Sequence, residues 1–125
     1  MVLIATSTRA APLEPAERGR REYIRYCASC HGVNGDGMGP VAPALLSRPS
    51  DLRRLSGRYG TPLDAGRLGA VIDGRNTIVA HGDREMPVWG ERFEALPPDE
   101  DSRERTIAER LAALLAYLQS IQRDR

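Results

Sequence analysis

The sequence predicts an all-α fold of three main helices joined by long loops, with no sheet. Three observations predict it. Ile107, Leu111, Leu114, Leu118 and Ile121 recur at alternating intervals of four and three residues, the stripe of a long helix with one buried face. Gly19, Tyr23 and Cys27 recur every four residues near the other end and share a second helical face. No segment offers a convincing strand run of alternating apolar and polar residues.

The elements follow in order. Residues 1–13 are expected to form a flexible arm, and residues 14–125 a single domain. The start, Met1-Val2-Leu3-Ile4-Ala5-Thr6, is apolar but lacks the basic region of a secretory leader. It reads either as a start residue before a mature chain or as the remnant of a removed leader or anchor. The first helix starts near Glu14-Pro15, where proline suits the first turn, and runs to about Cys27. Residues 32–40, from Gly32 to Pro40, are too rich in glycine to be regular and form an ordered loop. Their G-x-G-x-G spacing lacks the preceding strand and following helix that a phosphate cradle needs.

Ser50 to Leu55 reads as a short helical turn with Ser50 as its N-cap. A clearer helix follows, capped by Thr61, with Pro62 first, Asp64 third and Gly74 as its stop. Leu68, Val71 and Ile72 are its expected buried stripe. Asn76 to Glu94 is expected to be irregular around Met86-Pro87-Val88-Trp89-Gly90. Pro97-Pro98 breaks the chain before the last helix, which Asp99 or Ser102 caps.

At 125 residues, 41% of them hydrophobic and 5% aromatic, the chain fills one modest core, to which a bound cofactor would add apolar volume. A net charge of +1 gives no overall field for nucleic acid or a membrane surface. No stretch approaches the roughly 20 apolar residues of a membrane helix, so no span is expected. All 18 basic residues are arginine. The guanidinium suits bidentate pairing with carboxylates, although genome composition accounts for a lysine-free chain more simply.

The chemistry concentrates in Cys27-Ala28-Ser29-Cys30-His31, a Cys-x-x-Cys-His run that holds both cysteines of the chain. This is the attachment pattern of a c-type haem. Each thiol adds across a vinyl group, and the adjacent histidine reaches the iron as proximal ligand. Three other readings compete. A dithiol redox pair normally sits near a βαβ pattern. A structural zinc site, with His31 or His81 as further ligands, usually brings a second Cys or His pair. A disulfide staple is not needed at this length. For the iron's opposite face the candidates are Met86, His81 and Met38. Met86 is preferred, because Pro87 stiffens its loop, whereas Met38 follows His31 by only seven residues. His81 has an ordinary reading as a surface loop residue, and any methionine one as core filler.

Taken together, these residues resemble a class I c-type cytochrome over residues 15–122. Gly19-x-x-x-Tyr23-x-x-x-Cys27 resembles the family's first helix, where a small residue lets the first and last helices cross closely. Leu114 and Tyr117-Leu118 resemble the partner surface, and Met86-Pro87-Val88-Trp89-Gly90 the distal methionine loop. In Ala42-Pro43-Ala44-Leu45 the resemblance implies that the Pro43 carbonyl accepts the His31 Nδ1–H, with Pro40 as the alternative. Arg48 and Arg75 are candidates to pair the haem propionates, with a solvated charge as the ordinary reading of each. Trp89 is expected to pack on the cofactor and to donate its indole N–H to a propionate.

The resemblance implies one covalent haem c per chain and a class I cytochrome c fold wrapped around it. It also implies a periplasmic carrier of single electrons in a respiratory chain. Its partners would be redox proteins: a quinol-oxidising complex or dehydrogenase as donor, an oxidase or reductase as acceptor. The lysine ring seen around the haem edge of some members is absent. Two alternatives stand beside the free carrier. One is a cytochrome subunit docked permanently to a periplasmic dehydrogenase, so that both a monomer and a heterocomplex are open. The other is a haem sensor or peroxidase-like protein with an open distal site.

Overall fold

The computed structural model describes residues 11–74, 86–87 and 89–123. Among the described residues all regular structure is helical. The order is α1 (Pro15–Tyr26), α2 (Ala28–His31), 3-10 turns at Ala42–Ala44 and Leu52–Arg54, α3 (Ser56–Tyr59), α4 (Ala65–Asp73), α5 (Trp89–Arg92) and α6 (Glu100–Ser120). The three expected main helices are α1, α4 and α6. The short α5 falls within the segment expected to be irregular. No described helix is long and apolar enough to cross a membrane.

Helix α1 begins at Pro15, and its buried face is Gly19 and Tyr23. That face crosses α6 at its closest point, where the Gly19 backbone lies directly against the Ala113 carbonyl. One turn further on, the rings of Tyr23 and Tyr117 pack 5.1 Å apart at a 48° tilt. Tyr23 is fully buried, and its hydroxyl donates to the Gly32 carbonyl at 2.5 Å. Burial, with repulsion from Cys27 and Tyr117, pushes this phenol above its usual range, so it stays a protonated donor. The first helix is thereby fastened to the chain just past His31.

The long helix behaves as its apolar spacing predicts. Asp99 caps α6, its carboxylate accepting the Ser102 N–H at 2.8 Å. Ile107, Leu114 and Leu118 are buried against α1 and α4, while Leu111 and Ile121 are half-buried at the edges. The end of α6 organises the middle of the chain. Gln119 accepts the Leu63 N–H, and Gln122 donates to the Leu52 carbonyl while accepting the Ser56 N–H.

Two expected caps move by a few residues. Asp64, not Thr61, caps α4, accepting the Arg67 N–H at 2.9 Å, and residues 60–63 form a turn instead. Gly74 stops the helix in the left-handed conformation, as expected, at φ 65°. Leu68 and Ile72 are buried, but Val71 is 40% exposed and faces a cleft. Asp51, not Ser50, caps the Leu52–Arg54 turn. Its carboxylate accepts the Arg53 N–H at 3.0 Å and the Arg53 guanidinium at 2.9 and 2.8 Å.

These bonds from Arg53 hold the Asp51 carboxyl at about 2, below its ordinary 3.8. A carboxylate depressed by folding stabilises the fold above its unfolded value and loses that contribution as pH falls through the folded one. Asp51→Asn is therefore expected to lower urea stability at pH 7. The gap between variant and wild type should close between pH 4 and pH 2, the interval those two values bracket. A gap unchanged across that interval would show that the Asp51 charge contributes nothing.

Candidate functional site

Helix α2 is one turn long, and it sets the geometry of the cysteine pair. The Cys30 and His31 N–H groups both donate to the Cys27 carbonyl, at 3.2 and 2.9 Å. Cys27 and Cys30 are half-buried free thiols. With His31 they line a cleft of about 390 Å³ whose other walls include Tyr26, Leu45, Arg48, Ser50, Val71, Met86, Pro87 and Trp89. A smaller cavity of about 120 Å³ continues inward. Cys27, His31, Ser50, Val71 and Met86 line both, and the inner one ends on Tyr23, Leu68, Leu114 and Leu118. The groove thus runs from the surface into the space between α1, α4 and α6.

The His31 ring is oriented from behind. Its Nδ1 lies 3.0 Å from the Ser50 carbonyl. A proton donated there leaves the Nε2 lone pair for coordination, and such a bond raises the basicity of the ligand. The carbonyl partner expected at Pro43 is therefore supplied by Ser50. Pro43 sits in the Ala42–Ala44 turn, which is held against α2 by Gly39 N–H to the Cys30 carbonyl and Val41 N–H to the Ser29 carbonyl. The chain then doubles back, and the Leu52 N–H bonds the Gly35 carbonyl at 2.7 Å. Gly37 permits this return. Its φ is +79°, and a side-chain carbon there would stand 2.4 Å from the Pro49 carbonyl oxygen. The glycine-rich loop is the seat against which the Pro49 carbonyl lies, and the Ser50 carbonyl follows beside the histidine.

Burial pushes the Cys27 thiol up to about 12, with Cys30 and Glu22 adding repulsion. A working dithiol pair needs a depressed thiol pKa, so this environment argues against redox exchange at Cys27. Among the described residues no three His, Cys, Asp or Glu side chains gather as a metal site.

The donor set fits a haem. Two thiols three positions apart, an imidazole with one nitrogen tied back and a soft thioether line one mainly apolar groove that reaches the core. Of the other expected contacts, Trp89 and Arg48 line the outer cleft. Pro43 and Met38 are not among its lining residues, and Met38 is 67% exposed. Arg75 and His81 lie outside the described residues. Ser50, Val71 and Leu45 reach the outer cleft, and Arg58 the inner cavity, without having been expected there, while Tyr26 lines the outer cleft and Tyr59 the inner cavity.

An all-α frame with a Cys-x-x-Cys-His turn opening onto an apolar groove defines a protein that carries haem covalently. The family described as cytochrome c oxidase, cbb3-type, subunit III matches residues 14–103, and the chain belongs to that family. It is thus a class I c-type cytochrome, an electron-transfer protein whose cofactor is haem c, with Cys27 and Cys30 fitting the attachment motif. Comparison with curated proteins and with solved structures gave no match.

Proposed function

We propose that the chain carries single electrons between redox proteins of a periplasmic respiratory chain, with His31 and Met86 as the side chains that would hold the iron of its haem. The observation that carries this reading is that His31 and Met86 line the same groove beside the cysteine pair. Bound there, haem c supplies a one-electron Fe(III)/Fe(II) couple.

The chain's own residues do the rest. Cys27 and Cys30 hold the cofactor by two thioether links, so it does not exchange between turnovers. The Ser50 carbonyl fixes the His31 ring through Nδ1 and leaves Nε2 for the metal. The Met86 thioether favours the reduced iron and raises the potential. Val71, Leu45 and Trp89 give the cleft apolar walls that exclude water. Arg48, which lines the cleft, and Arg75 would pair the propionates. With His31 and Met86 both holding the iron, no coordination site would be left for a substrate, and the work would be outer-sphere transfer.

Partners dock in small, transient interfaces. The family description names a subunit of a terminal oxidase, which favours an oxidase on the accepting side. An optical redox titration of the purified protein is expected to give one reversible one-electron wave, with the ferrous form taking up carbon monoxide only slowly. Rapid binding of carbon monoxide to the native ferrous protein would replace this reading with a ligand-binding sensor or a peroxidase-like enzyme.

A further inference from the structure

The thioether of Met86 is a weak ligand, so its hold on a metal depends on how firmly the segment carrying it is anchored. Past Pro87 the chain turns into α5 and continues through Phe93 and Glu94. Three of those residues converge on one side chain of α1. Tyr26 packs its ring on Trp89, centroids 5.7 Å apart, and on Phe93, 5.3 Å apart. Its hydroxyl accepts the Glu94 N–H at 3.2 Å. The neighbouring Arg25 pairs with the Glu94 carboxylate and lies over the Tyr26 ring. Beyond, Phe93 is buried beneath the guanidinium of Arg110, which faces Glu22 of α1 at 3.8 Å.

We propose that Tyr26 is a positioning residue for Met86. Standing immediately before Cys27, it clamps the 89–94 segment to the end of the helix that leads into the haem attachment site, and so holds the thioether at the cleft. The inference rests on the reading of Met86 as second axial ligand. The ring supplies the clamp and the hydroxyl adds little, because the hydroxyl contact is solvent-exposed. Arg25 and Glu94 likewise form an open surface pair, with side chains 60% and 63% exposed.

The test compares ferric holoprotein carrying Tyr26→Ala or Tyr26→Phe with the wild type. Imidazole competes with the thioether for the iron, and the weak red absorption band of methionine-bound ferric haem follows the competition. Loss of two ring pairs is expected to tighten apparent imidazole binding about tenfold or more in Tyr26→Ala. Tyr26→Phe keeps both rings and should stay within about threefold of wild type. Hydrogen exchange at the Phe93 and Glu94 amides should quicken in the alanine variant alone, while overall helix content holds. Wild-type imidazole affinity and amide protection in Tyr26→Ala, with only a lower melting temperature, would overturn the clamp and leave the Met86 reading standing. Absence of the red band from the wild type would remove the Met86 reading, and the positioning role with it.

Discussion

Gly19→Ala is expected to cost the protein a large share of its stability. A side-chain carbon at this position would stand 1.8 Å from the Ala113 carbonyl oxygen, 2.4 Å from its carbon and 2.9 Å from Tyr117 Cβ. Two of those atoms are backbone of α6 at the crossing, so no rotamer change relieves the contact. The helices must separate by roughly 1 Å or more to restore ordinary carbon–oxygen distances. The Tyr23–Tyr117 packing and the buried Ile107 and Leu114 lie on the same interface and lose contact together. Such overpacking belongs at the severe end of its class, about 3 kcal/mol or more. For a domain of this size that is a fall of about 10 °C or more in Tm. Thermal unfolding followed by far-ultraviolet circular dichroism measures it. A Tm within about 2 °C of wild type would mean that the two helices do not cross where described.

Met86→Ala is the second large effect, and it acts on chemistry more than on folding. Met86 is partly buried at the cleft and packs on the core from its edge, so its loss leaves the α1–α6 crossing in place. The variant is expected to lose the red band in the ferric state and to bind carbon monoxide rapidly in the ferrous state. Its reduction potential should fall by roughly 0.1 V or more, because the ligand that favoured Fe(II) is gone. An unchanged spectrum in Met86→Ala would assign the second ligand elsewhere, with His81 the first candidate.

The sequence revealed most where a periodic or spaced pattern carries the physics. The apolar stripe from Ile107 to Ile121 located α6, and Gly19, Tyr23 and Cys27 located the buried face of α1. The cysteine pair and His31 were legible from their spacing alone. What the pattern missed was decided by contacts distant along the chain. The carbonyl behind His31 is that of Ser50, nineteen residues on, and it arrives there because Gly37 lets the returning chain lie against the loop. Capping was ambiguous for a simpler reason. Ser50 stands beside Asp51, and Thr61 lies close to Asp64; all are good caps, and only the folded backbone shows which carboxylate meets a free N–H. Helices α3 and α5 are four residues long, too short for a 3.6-residue period to register. Val71 was expected in the buried stripe but is exposed to the cleft, because a cofactor site and a core are equally apolar to a periodicity argument.

The visible spectrum of the purified native protein, oxidised and then reduced, decides whether His31 and Met86 hold the haem iron. Expected are the weak red band of methionine-bound ferric haem, a colour that stays with the polypeptide through acid–acetone extraction, and a ferrous spectrum unmoved by brief exposure to carbon monoxide. A ferric protein without that band, whose ferrous form takes up carbon monoxide at once, would contradict it.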